Sequence, residues 1–310
     1  MRCSKVVAAC LVVVACAQPA GGEAPLSPES DALLLAQQAF YSARYEEAAA
    51  HALAMRATTP EDLAGYELRT TALLFQIKRL IGDDKKRQNN LKACPACAGL
   101  IEDFLRDIRI SQELARGRLR ADSRDEAALY FLGKINLNYV WLHLGPLGRK
   151  AGWSEYWEAR RSLDSVLQQN PHNIRARVAR AWVDYIVGTR MPRGTKWLMG
   201  GGNRQRALST LREVSTVSAD FYSSAEARFA LWEMLTREHD FTGAIGVARE
   251  LMRDFPSNQE LAKFVETYEE SVGRRDSAPA MDILLDGARF DRHGFWLTRA
   301  RGPRTAQSES

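Results

Sequence analysis

The sequence predicts an all-α protein made of stacked helix pairs, and three observations carry that expectation. Apolar residues recur at helical spacing, as at Ala227, Leu231, Met234 and Leu235 and again at Ala244, Ala248, Leu251 and Phe255. A small residue is followed twelve positions later by proline three times: Ala48 and Pro60, Ala159 and Pro171, Ala244 and Pro256. Proline cannot continue a helix, so a stop repeated at constant spacing marks a repeated helical unit. Nothing in the chain alternates strand with helix. Apolar content of 45% and charged content of 26% over 310 residues suit a folded body rather than wholesale disorder.

The first segment is an address. Arg2 and Lys5 precede an apolar run over 6–16, and small residues follow, which is the pattern of a secretory signal too short to span a bilayer. Val13, Val14, Ala15 and Cys16 resemble the lipobox of bacterial lipoproteins. That resemblance implies acylation of Cys16, which becomes the first mature residue, and placement on the periplasmic side of the outer membrane. The alternative is cleavage after Ala17, giving a soluble periplasmic protein. Signal and lipobox thus take residues 1–16, a flexible linker 17–28, the helical body 29–272, and a mobile tail 273–310 whose apolar patch is 290–297.

Within the body, residues 30–57 read as a first helix pair, with Leu33, Ala36, Gln37 and Phe40 as its leading stripe. A long helix follows over 61–81, and then 82–90, dense in charge, reads as a solvated break. Helices are expected over 100–119, 126–142 and 155–170, and then over 174–187 and 207–218. The pair at 225–258 has a polar turn at 238–243, and 259–272 reads as a terminal cap with Leu261, Phe264, Val265 and Tyr268 on one face.

The segment 225–258 resembles a tetratricopeptide repeat (TPR), with Ala244 and Pro256 at the template's small-residue and proline positions, and Leu132–Gly133 matches that template's Leu-Gly pair. The resemblance implies a right-handed α-solenoid of about four to five TPR-like pairs with a C-terminal capping helix. Other copies lack the template's early aromatic, and Ser123 or Ala219 replaces proline. The register exposes two insertions at equivalent turns, at 144–154 and 188–205, which such stacking would bring to one edge. Residues 201–214 with the following copy also resemble the helical lipoprotein component of TRAP-type solute transporters.

The insertions are the candidate binding site. Five of the seven tryptophans lie between Trp141 and Trp197. Residues 145–206 hold twelve Lys and Arg against four acids, a local +8. Arg149, Lys150, Trp153, Arg190, Arg193, Lys196, Trp197 and Arg204 are the named candidates. Cations interleaved with aromatics suit an acidic peptide, a glycan or an anionic headgroup. The plainer reading has Trp153, Trp157 and Trp182 filling core while the arginines solvate it. Gly200, Gly201, Gly202 and Asn203 precede a helix and could offer N–H groups to an anion, but they lack the lysine and hydroxyl of a phosphate loop.

Cys94 and Cys97 form the one reactive-looking pair of the mature body. A local disulfide fits an oxidising compartment; thiol–disulfide catalysis and metal binding are the alternatives. His51, His143, His172, His239 and His293 lack ligand spacing, and no Ser/His/Asp arrangement is visible. The expectation is therefore a non-enzymatic scaffold without cofactor or metal. Its partner would be an envelope protein or peptide, its membrane contact the lipid anchor alone, and homo-oligomerisation is open. The mature net charge of +3, after loss of Arg2 and Lys5, is too mild to argue for nucleic acid.

Overall fold

The computed structural model describes residues 31–82, 86–149, 151–190, 196–217 and 219–276, with the backbone alone at 87, 190 and 270–276. The signal, Cys16, the linker, the tail with its 290–297 patch, Lys150 and Arg193 lie outside the described residues. Among the described residues the protein is all-α, without a strand, and no helix is long and apolar enough to cross a membrane.

Twelve α-helices follow one another among the described residues, and the first half holds α1 Asp31–Tyr41, α2 Tyr45–Thr58, α3 Leu63–Ile81, α4 Arg87–Lys92, α5 Pro95–Ala121 and α6 Glu126–Leu144. The second half holds α7 Trp153–Gln169, α8 Ile174–Arg190, α9 Arg204–Val214, α10 Phe221–Arg237, α11 Phe241–Asp254 and α12 Gln259–Asp276. Local chemistry explains most of the starts. The side chains of Asp62, Asp125, Asn173, Asn203, Asp220, Asp240 and Asn258 each accept an orphan N–H from the first turn of the helix that follows. Pro95 occupies the first turn of α5, where its missing N–H costs nothing. That start lies five residues before the expected 100. The charged stretch 82–90 also departs from expectation, because it runs into α4.

Consecutive helices pack on one another except at α4, past which α3 packs directly on α5, and α1, α6 and α8 also touch α3, α3 and α10 respectively. Close approach is built into the sequence at Gly133. A Cβ there would stand 2.8 Å from Leu163 Cγ, so α6 and α7 meet at a distance no larger residue permits. The core runs along the array. Phe104, Ile77 and Leu142 anchor one cluster, Leu163, Tyr156 and Val183 the next, and Leu211, Leu251, Phe255 and Phe264 the last.

The first and last helices meet. Tyr222 Oη of α10 donates to Leu34 O at 3.2 Å, and Asn258 Nδ2 donates to Tyr41 O at 2.8 Å. Tyr45 Oη donates to Glu260 at 3.0 Å, and Arg79 pairs with the same carboxylate at 3.1 Å. The Tyr41 ring stacks on Phe229 at 5.2 Å between centroids. The segment read from sequence as a terminal cap thus packs on α11 and also fastens the opposite end of the chain.

Candidate functional site: the insertion edge

The first insertion is held to α4 and α6, and the second to α7 and α8. In the first, Arg149 N donates to His143 O at 2.7 Å and Gln88 Nε2 to Leu147 O at 3.0 Å, while Leu147 itself is buried. The chain then enters α7 through Gly152, whose φ of 94° favours glycine, and Trp153 stands on the first turn, 54% exposed. In the second insertion, a 3-10 turn, Lys196–Met199, carries Trp197 at 72% and Leu198 at 52% exposure. Met199 beneath them is buried in the α6–α8 cluster.

Arg160 fastens that turn. Its guanidinium donates to Met199 O at 3.1 Å, Gly200 O at 2.5 Å and Gly201 O at 3.3 Å, and Tyr156 Oη donates to Met199 O at 2.8 Å. Gly200 has φ 73°, and a Cβ there would stand 2.8 Å from Arg160 Cζ. The glycine run therefore turns its carbonyls toward a cation. The N–H groups of Gly200 and Gly201 are bonded to Trp197 O and Lys196 O, so neither of these two is offered to an anion. Tyr156 lies one turn along α7 from Trp153, which brings Trp153 and the Trp197–Leu198 turn to the same end of that helix.

Part of the basic character read from local sequence is offset by acids from elsewhere in the chain. Arg204 pairs with Glu238 at 2.5 Å, Arg177 with Glu213 at 2.7 Å and Arg175 with Glu226 at 3.0 Å. Arg180 bridges Asp164 and Asp184, and Lys196 Nζ donates to Gly188 O at 2.6 Å. Of the described candidates, Arg149 remains on the open surface, as do the neighbouring Arg161 and Arg206. The tryptophans divide. Trp153 and Trp197 are exposed, whereas Trp157 and Trp182 pack on the core, with Arg237 lying over the Trp182 ring at 4.7 Å. What the edge offers is apolar surface from Leu144, Trp153, Trp197 and Leu198 with few free cations.

Periodicity gave no hint of a second polar centre. Lys134 of α6 pairs with Glu226 of α10 at 2.6 Å and approaches Glu67 of α3 at 3.6 Å. Arg175 of α8 lies over the Tyr130 ring at 4.9 Å. Burial works against the Lys134 charge, but Glu226, Tyr130 and Glu67 prevail and raise its pKa well above the usual lysine value. Burial would raise the Glu226 carboxyl; Lys134 and Arg175 outweigh it and bring it down to about 2. Burial raises the Tyr130 and Tyr41 hydroxyls above their ordinary value as well. Side chains of α3, α6, α8 and α10 in this way engage one another.

Cys94 and Cys97 are joined in a disulfide at the start of α5, with Cα atoms 5.4 Å apart. Cys97 is buried and Cys94 partly accessible beside a shallow cleft of about 380 Å³ formed with Leu80, Asn90, Ala93, Pro95 and Ala96. Among the described residues, no group of three or more His, Cys, Asp or Glu is placed to hold a metal ion. Compared with protein families, curated proteins and solved structures, the chain matches none.

Proposed function

We propose that this chain is a non-enzymatic scaffold of the bacterial cell envelope, exported and tethered through acylated Cys16. Its TPR-like pairs would form a right-handed α-solenoid, and a protein or peptide partner would dock on the insertion edge. The observation that carries this reading is the exposure of Trp153, at 54% on the first turn of α7, and of Trp197, at 72% on a turn fixed from below by Arg160 and Tyr156. Exposed tryptophans on a rigid support are typical anchors of protein interfaces. The inner face contributes less, because Glu67, Lys134, Arg175 and Glu226 are occupied with each other. The TRAP-type accessory reading rests on the sequence resemblance alone, and the thiol-enzyme reading on the Cys94–Cys97 pair.

The test is recovery of partner from detergent-solubilised envelope. Trp153→Ala with Trp197→Ala should reduce recovery by roughly thirtyfold, since an interface tryptophan contributes about 2 kcal/mol or more. Arg149→Glu should act in the same direction, more weakly. Unchanged recovery in the double variant, with an unchanged unfolding midpoint, would overturn the proposal.

A further inference from the structure

The Cys94–Cys97 disulfide stands between α4 and α5, at a helix start that has no capping side chain. Where Asp62 or Asp125 fixes a start through its carboxylate, this first turn is held by the disulfide and by Cys97 N donating to Cys94 O at 3.2 Å. The two cysteines differ in access. Cys94 is partly accessible and lines the shallow cleft with Leu80 and Asn90, whereas Cys97 is buried in the cluster of Phe104 and Ile108. An incoming thiolate therefore meets Cys94, which makes Cys97 the leaving group.

The disulfide also bears on α4, a helix of six residues. Leu91 of α4 packs on the same cluster as Cys97, and Asn90 Nδ2 donates to Ile81 O at 2.5 Å. Gln88 Nε2 donates to Leu147 O at 3.0 Å, which ties α4 to the first insertion. We infer that Cys94–Cys97 is an exchangeable disulfide, reduced through Cys94 by a dithiol protein, and that breaking it loosens α4 and its hold on the first insertion. In the first step a thiolate of the reductant bonds to Cys94 Sγ and the Cys94–Cys97 bond breaks. Cys97 keeps the electron pair and takes up a proton. The second thiol of the reductant then displaces Cys94, which takes up the other proton. The chain gains two electrons and two protons, and the reductant becomes a disulfide. So short a closed loop contributes little to global stability, so the effect of opening it stays local. That a partner responds rests on the docking reading above; the exchange and the loosening do not.

The detergent-solubilised full chain, treated with dithiothreitol as the dithiol, tests this. The pair should be reduced without denaturant while the helical circular dichroism is unchanged; a bond that opens only once denaturant is added would overturn the inference. Glutathione disulfide reads which sulfur reacts, by mass on the peptide that carries residues 94–97. Cys97→Ser, which leaves Cys94 free, should take up glutathione roughly tenfold faster than Cys94→Ser, and equal rates would remove Cys94 as the point of attack. Hydrogen exchange then follows the consequence. On reduction it should quicken roughly tenfold over 86–97 and over 145–149, while the α10–α11 pair stays protected. Quickening confined to 93–97 would sever the link to the insertion. In Gln88→Ala the 145–149 segment should exchange faster already in the oxidised chain and respond little to reduction; a full response there would rule out the route through Gln88. All these readings are made without a partner, so their failure and that of the scaffold proposal are told apart.

Discussion

Asp107 is fully buried and faces two arginines, Arg69 by a direct hydrogen bond and Arg56 at 2.8 Å. A buried carboxylate between two cations from α2 and α3 joins three helices, and neutralising it removes the carboxylate facing Arg56 and leaves Arg69 with Asp103 alone. Asp107→Asn should therefore cost about 3–5 kcal/mol in urea denaturation, with the slope unchanged. Glu226 gives a pH signature. Its carboxyl titrates near 4.5 in the unfolded chain and near 2 when folded. As the pH falls, the unfolded chain takes up this proton first, so stability present above about pH 4.5 is lost progressively toward pH 2. In Glu226→Gln the fall across that window should be shallower, measured by thermal unfolding at stepped pH. The wild-type slope persisting in full would mean other carboxylates carry the acid sensitivity.

At the scale of elements, the second insertion shows how a loop acquires one conformation. Gly200 combines a positive φ with a contact that any Cβ would violate. Gly200→Ala should cost about 1–2 kcal/mol from the backbone alone and displace the Arg160 guanidinium. Hydrogen exchange should then quicken over 196–203 while the α10–α11 pair stays protected, whereas uniform quickening would place the loop in the global folding unit. The Cys94–Cys97 bridge closes a very short loop, so Cys94→Ser with Cys97→Ser should cost no more than about 2 kcal/mol. Thiol titration of the native chain finding no free thiol at this pair would count against the enzyme reading.

Across the whole molecule, the contact between the first helices and α10–α12 links residues 181 to 217 positions apart. Asn258 serves twice, capping α12 and donating to Tyr41 O. Asn258→Ala should cost about 1–2 kcal/mol and expose α1 and α12 to exchange together. Exchange rising in α12 alone would show the cap matters and the closure does not. The closure also places Tyr41 next to the central charges, so loosening the ends should weaken the polar centre as well.

Much of this architecture is local and was readable as such. The twelve-residue interval from Ala244 to Pro256 fixed α11 because a small residue lets helices approach and proline ends them. Capping by Asp62, Asp125 and Asp240 depends on a few consecutive residues, so the helix starts near them were legible; the start at Pro95 was placed late because the apolar stripe begins several residues into α5. Charge pairing was not legible. Counting residues 145–206 as +8 missed Glu67, Glu213, Glu226 and Glu238, which arrive from other helices and offset part of that charge. Nor could the spacing say whether Trp153 lies inside or out, since that depends on which side of α7 the insertions cover. The sequence by itself determined that the described residues are helical and where most of their helices begin and end, because periodicity, caps and prolines act within a few positions. Only the tertiary structure decided that the ends meet, that Lys134, Arg175, Glu67 and Glu226 converge, and that Trp153 and Trp197 share an edge. Those outcomes are set by how each helix pair is rotated and displaced on the last, small steps whose sum no short stretch of sequence encodes.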